Sequence, residues 1–169
     1  MNAPAKPVQA KPPRLVLRAA AIVLIIAAAT ILAALGFEHI GGYAPCPICL
    51  EERYAYYFAV PVAALAFLLA RGEHTGFARI LLLAIALAFL ANAALAVFHA
   101  GVEWKWWPGP TECTGAFDLT WGEHGVADTP VIRCDEASFR FLGLSFAGWD
   151  ALVSAFLALV ALWGAAQKR

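Results

Sequence analysis

The sequence predicts an all-α membrane protein: a four-helix transmembrane up-and-down bundle with a long, mostly irregular second loop on its outer side. Three observations predict it. The 169 residues are 62% hydrophobic and 14% charged, with a mean hydropathy of +0.71. An ordinary soluble domain is roughly 45–50% apolar and about 25% charged. Four stretches stay free, or nearly free, of charge for the length of a bilayer, and the basic residues gather on one side of them. This composition excludes a disordered chain, a coiled coil and a small soluble disulfide scaffold. A formal net charge of zero excludes a strongly basic nucleic-acid binder. The expected surroundings are a lipid bilayer, with no nucleic acid as partner.

Residues 1–14 hold four prolines, two lysines and an arginine, and read as a disordered cytoplasmic tail. Residues 15–169 read as a single four-span domain. The first span, 19–37, has 19 uncharged residues, about 28 Å of helix against about 30 Å of hydrocarbon. Lys6, Lys11, Arg14 and Arg18 precede it as in a signal peptide, but its apolar run exceeds the roughly 7–15 residues of a cleaved signal, so it reads as an anchor. The second span, 54–70, is shorter, and Pro61 inside it predicts a kink or a re-satisfied backbone carbonyl. The third, 80–98, matches the first in length. The fourth reaches bilayer length when taken back past Asp150 to Phe146, giving 146–166. Loops 38–53 and 99–145 then share one side of the membrane.

Lys6, Lys11, Arg14, Arg18, Arg71, Arg79, Lys168 and Arg169 lie on the opposite side from those loops, eight of the twelve Lys+Arg. The loops carry ten of the twelve acids. By the positive-inside rule the basic side is cytoplasmic, both termini included. The net charge of zero thus conceals an inner excess of seven positive charges and an outer excess of six negative ones, with Asp150 making up the difference.

All four cysteines, Cys46, Cys49, Cys113 and Cys134, fall in the outer loops. In a bacterial cell these would be periplasmic loops, where disulfides form and persist. Four cysteines allow three pairings. Cys46-Pro47-Ile48-Cys49 is close enough to pair with itself, which leaves Cys113 with Cys134 across 20 intervening residues. As a structural staple the longer loop is reasonable, worth about 3 kcal/mol by chain entropy, whereas the tight one gains least. C-x-x-C is instead the spacing of thiol redox exchange. Four cysteines can also hold zinc, but a zinc ribbon wants a second C-x-x-C, and here there is none. Metal is therefore not expected.

Pro47 suits the first position of a helix, with Cys46 as its N-cap and Cys49 in its first turn. The positive end of the helix dipole then favours a thiolate on this pair. Arg53 continues the same face at spacings of three and four, where a guanidinium can stabilise a thiolate or hold a ligand's carbonyl oxygen. A snorkelling interfacial arginine is the structural alternative. His99 lies at the outer end of the third span, at the depth of Cys49 and Arg53, and reads either as a site residue or as an interfacial polar group. Asn92 is expected to make an interhelical hydrogen bond. Asp150 is expected to be favoured by the N-terminus of its helix. Trp104, Trp106, Trp107 and Trp121 read as an aromatic belt, Phe139-Arg140-Phe141-Leu142 as a short segment on the bilayer surface, and 107–134 as a mobile loop presenting its disulfide to a soluble partner.

Four spans, Pro45-Cys46-Pro47-Ile48-Cys49 followed by Glu52-Arg53, a second outer cysteine pair, and Phe141-Leu142-Gly143-Leu144 before the last span together resemble the DsbB family, the disulfide bond formation protein B family. The resemblance covers nearly the whole chain after the tail. It implies a protein-dithiol:quinone oxidoreductase, an enzyme of the bacterial inner (cytoplasmic) membrane. Cys113–Cys134 would oxidise a periplasmic DsbA-like thioredoxin-fold protein, with Cys113 bonding the partner. Electrons would pass to Cys46–Cys49 and on to ubiquinone or menaquinone from the membrane quinone pool. It also implies Arg53 and His99 as quinone-binding residues. A DsbA-type donor sits near about −120 mV, so its acceptor must lie higher still, which favours a quinone over a nicotinamide. No glycine-rich nucleotide fingerprint is present. Two other readings remain open at this point. One is a DsbB-like paralogue serving a single dedicated partner. The other is a non-catalytic membrane protein with structural disulfides or a metal site.

Overall fold

The computed structural model describes residues 14–72, 74–114 and 133–166. Four helices have the length and apolarity to cross a membrane: α1 (Arg14–His39), α2 (Pro47–Arg71), α3 (Thr75–Glu103) and α5 (Phe146–Ala165). Between α3 and α5 lie a single turn, α4 (Thr111–Thr114), and a hairpin of β1 (Arg140–Phe141) and β2 (Leu144–Ser145). The chain is a multi-pass, four-helix membrane bundle. The predicted tail lies outside the described residues except for Arg14, which opens α1.

The helices overrun the charge-free stretches that announce them. α1 starts at residue 14, ahead of its charge-free run at 19, α3 covers 75–103 around the run 80–98, and α2 extends to both sides of the run 54–70. A charge ends an apolar run without ending a helix, because arginine and glutamate are good helix formers. Capping groups set the boundaries instead. Cys46 Sγ accepts the Cys49 N–H at 3.1 Å, with Pro47 in the first helical position, as the sequence predicts. Ser145 Oγ accepts the Gly148 N–H at 3.2 Å and opens α5. α2 continues unbroken through Pro61.

α3 packs along α5, α1 along α2, α2 along α3, and α5 closes the ring against α1, while the diagonal pairs touch little. Alanines fill much of the centre: Ala19, Ala20 and Ala27 of α1, Ala59, Ala63, Ala66 and Ala70 of α2, Ala158 and Ala161 of α5. Ile25, Leu32, Leu68, Phe77, Ile80 and Leu159 point outward and are more than 60% exposed. Lipid is as apolar as leucine, so hiding large side chains gains nothing, and close backbone approach holds the helices together.

The hairpin turns through Leu142 (φ 52°) and Gly143 (φ 84°), both left-handed, as two-residue hairpin loops prefer. That is the physical content of the Phe141-Leu142-Gly143-Leu144 motif. Trp149 Nε1 donates to Phe141 O at 3.0 Å and pins the hairpin to α5. The exposed tip of Phe141 and Leu142 is a β-turn with an apolar crest.

A close helix approach at Gly164 is testable. A Cβ on Gly164 would lie 2.5 Å from Ala19 Cβ and 2.8 Å from Leu82 Cδ1, whereas one on Gly36 meets nothing within 4 Å. Gly164→Ala should destabilise the bundle by about 1–3 kcal/mol through overpacking. Gly36→Ala should instead stabilise by up to about 1 kcal/mol through helix propensity. Thermal unfolding in detergent micelles checks the opposite signs.

Candidate functional site

The four cysteines meet at one end of the bundle. Cys46 pairs with Cys49 (Cα–Cα 5.1 Å) and Cys113 with Cys134 (5.4 Å). Cys46, Cys113 and Cys134 form one buried cluster with Ile48, against which Cys49 and Leu95 pack. This departs from the expectation of a second disulfide held out in water. Cys113 and Cys134 are 3% and 1% exposed. Most of the stretch that reads as a mobile loop, 115–132 with Trp121, lies outside the described residues.

A polar clasp ties the segment beside Cys134 back to the end of α3. Lys105, at φ 61°, turns the chain away from α3, and its Nζ donates to the Asp135 carboxylate and, at 2.8 Å, to the Asp135 carbonyl. Arg133 Nε and Nη2 donate to the same carboxylate at 3.0 and 2.9 Å. These cations hold the Asp135 carboxyl well below the usual carboxylate range, Arg133 contributing most. The Cys134 N–H donates to Cys113 O at 3.1 Å. Beneath them Trp107 stacks on Phe98 and donates Nε1 to Phe98 O at 2.8 Å. Gly101 makes room, since a Cβ there would fall 2.0 Å from the indole.

His99 is 2% exposed and lies behind the first pair. Its Nε2 is 3.6 Å from Cys46 Sγ and its Nδ1 is 2.9 Å from Glu52 Oε1. A carboxylate at Nδ1 makes that nitrogen the N–H donor and leaves the Nε2 lone pair for the sulfur. This arrangement can take up a thiol proton. Glu52, itself 7% exposed, is a residue that sequence reasoning left without a role. Its signal was an acid three residues beyond Cys49, at the head of an apolar helix. Cys46, Cys49 and His99 offer ligand atoms within 4.8 Å of one another, but sulfurs bonded to each other lack the thiolate charge that zinc requires.

Cys49 and Arg53 face a partly open cavity of about 300 Å³ lined by α1, α2, α5 and the segments at 43–45 and Ser138. Of the face predicted from the 46–49–53 spacing, Cys49 and Arg53 line the cavity with Tyr56, while Cys46 turns to His99 and the second disulfide. Arg53 is paired with Glu38 of α1. Phe37, Tyr43, Phe139 and Phe146 contact one another pairwise, with centroids 5.0–6.3 Å apart, and Phe37, Tyr43 and Phe146 wall the cavity. His99 is not among the described residues that line it.

Deeper in the bundle Asn92 Nδ2 donates to Asp150 Oδ2 at 2.9 Å and to Ser154 Oγ at 3.0 Å. Tyr56 donates its hydroxyl to Asp150 Oδ1. Asn92 thus makes the interhelical bond expected of it. The expectation for Asp150 is corrected: side chains of three helices hold its carboxylate, not the end of its own helix alone.

A family model described as disulfide bond formation protein DsbB matches residues 17–164. A disulfide bond formation protein B of Aromatoleum aromaticum is 31% identical over 141 residues, covering 78% of this chain and 81% of its own. One of Marinobacter nauticus is 31% identical over 151 residues, covering 84% and 87%. No solved structure matches the chain. Two cysteine pairs gathered at one end of a four-helix membrane bundle, together with a family match across nearly all of the chain, make it a member of the DsbB family of disulfide bond formation proteins.

Proposed function

We propose that this chain oxidises the dithiol of a DsbA-type thioredoxin-fold partner and passes the electron pair through both cysteine pairs to a membrane quinone. The observation that carries this reading is the contact of two disulfides in one cluster, with Cys49 of the inner pair on a cavity between the apolar helices beside Arg53. In this reading the chain sits in a bacterial inner membrane with both termini in the cytoplasm, as its charge asymmetry supports.

A partner thiolate attacks Cys113–Cys134 through a mixed disulfide, leaving the partner oxidised and Cys113 and Cys134 as thiols. The same exchange with Cys46–Cys49 restores the outer disulfide and moves both electrons to the inner pair. Burial of Cys113 and Cys134 requires the clasp at Asp135 to part for the partner to gain access. When the inner pair re-forms its S–S bond, it gives up two electrons and two protons. His99 Nε2 is placed to take the Cys46 proton, with Glu52 steadying the imidazolium. Glu52 also lines the cavity, so the two residues connect the sulfur to it.

The cavity suits a quinone ring. Its volume is at the lower end for small-molecule sites, its walls are aromatic and aliphatic, and it has one guanidinium to hold a carbonyl oxygen. A bound quinone supplies a two-electron, two-proton acceptor.

Membranes containing the protein should reduce added quinone when given a reduced thioredoxin-like substrate, and Cys49→Ser should abolish this, read as loss of quinone absorbance. Undiminished turnover in that variant overturns the assignment. Arg53→His should raise the quinone KM about tenfold or more, the scale of a charged hydrogen bond, and barely move the KM for the protein substrate. The clasp gives a third expectation. Asp135→Asn should speed reduction of Cys113–Cys134 by a phosphine about two- to fivefold, the scale of an exposed ion pair. The Asp135 carboxyl titrates below its unfolded value, so the clasp is fully present above that value and lost as pH falls through the lowered one. Wild-type protection should therefore persist down to about pH 4.

A further inference from the structure

We propose that Asp150 is an acceptor subsite in the cavity, one that binds the phenolic hydroxyl of a reduced ring in preference to the carbonyl of an oxidised one. The inference rests on the quinone reading and adds which redox form the cavity favours.

Asp150 lines the cavity together with Tyr56 and Arg53. All of its side-chain partners can donate. The two amide hydrogens of Asn92 go to Asp150 and Ser154, the Tyr56 hydroxyl goes to Asp150, and the Ser154 hydroxyl is shared between Asp150 at 3.4 Å and the Tyr56 oxygen at 3.2 Å. The carboxylate accepts throughout. A carboxylate has about four acceptor positions. At most three are taken, and as a carboxylate it has no hydrogen to offer a ligand. An acid within a membrane span is costly to keep for structure alone, and asparagine, serine and tyrosine could bridge these helices without one.

The cavity therefore has a donor, the Arg53 guanidinium, and an acceptor, Asp150. A quinone oxygen only accepts, so Arg53 can hold it in either redox form. A hydroquinone hydroxyl also donates, and Asp150 distinguishes the forms at that atom. No proton is transferred to Asp150. The two electrons and two protons released by the Cys46–Cys49 dithiol, as its S–S bond forms, both end on the ring. A charge-assisted hydrogen bond made by one form alone should favour it at least about tenfold. For a two-electron couple that is about 30 mV, in the direction that makes the bound quinone a stronger oxidant.

The test is equilibrium binding of a short-chain quinone and of its hydroquinone to the full chain in micelles. A Cys46→Ser/Cys49→Ser background prevents conversion of either form. Adding Asp150→Asn should lower the preference for hydroquinone at least about tenfold. Tyr56→Phe leaves the acceptor in place and retains the ring contact with Phe89, at 5.2 Å between centroids, so it should keep the preference. Asp150→Ala serves if the amide variant does not fold, with the same expected loss. An unchanged ratio in the Asp150 variants overturns the inference alone. Equal loss in Tyr56→Phe also overturns it, by reducing the cluster to a tie between helices. A background protein that binds neither form overturns the quinone reading and this inference together.

Discussion

The sulfur of Cys46 is the point on which the rest of the site depends. It caps α2, is bonded to Cys49, faces the imidazole of His99 and lies in the cluster with Cys113 and Cys134. Each contact fixes something different. The cap sets where α2 begins and so places Cys49, Arg53 and Tyr56 on the face that lines the cavity. In the proposed function, the imidazole gives a departing proton somewhere to go, and the second disulfide gives the electron pair a source. Moving α2 by one residue would rotate its face by about 100° and separate all of these.

The bundle around that sulfur is packed from small residues and tied at two polar levels. Near its end, Arg53 with Glu38 and His99 with Glu52 link α1 to α2 and α2 to α3. Further in, Asp150, Asn92, Ser154 and Tyr56 join α2, α3 and α5. Away from water a polar group without a partner is costly, so these ties define relative helix rotation more sharply than alanine packing can. They also leave polar atoms on a cavity whose other walls are aromatic and aliphatic.

Legibility differed by the range of the interaction. The four spans, the start of α2 at Pro47, the alignment of Cys49 with Arg53, and the interhelical role of Asn92 were readable because each follows from a local period, a cap or a charge-free run. The charge-free runs understated the helices wherever a charged residue remained helical, as with Arg18 of α1 and Glu103 of α3. Glu52 passed without a role because acids near a span end are ordinary. The clasp was invisible, since Lys105 and Asp135 are 30 residues apart and nothing local in either announces the other.

By itself the sequence determined a four-span membrane protein with all its cysteines on one side of the bilayer and a redox-spaced pair at the head of a helix. Hydropathy, charge asymmetry and capping are properties of neighbouring residues, so the chain carries them without folding. Tertiary structure decided that the two disulfides bury each other, that His99 turns to Cys46 and Glu52 rather than to the cavity, and that Asp150 is held by three helices. Those depend on the rotation and depth of each helix relative to the others. That is settled by which small residues let backbones approach and which polar groups must find partners, and no single segment encodes it.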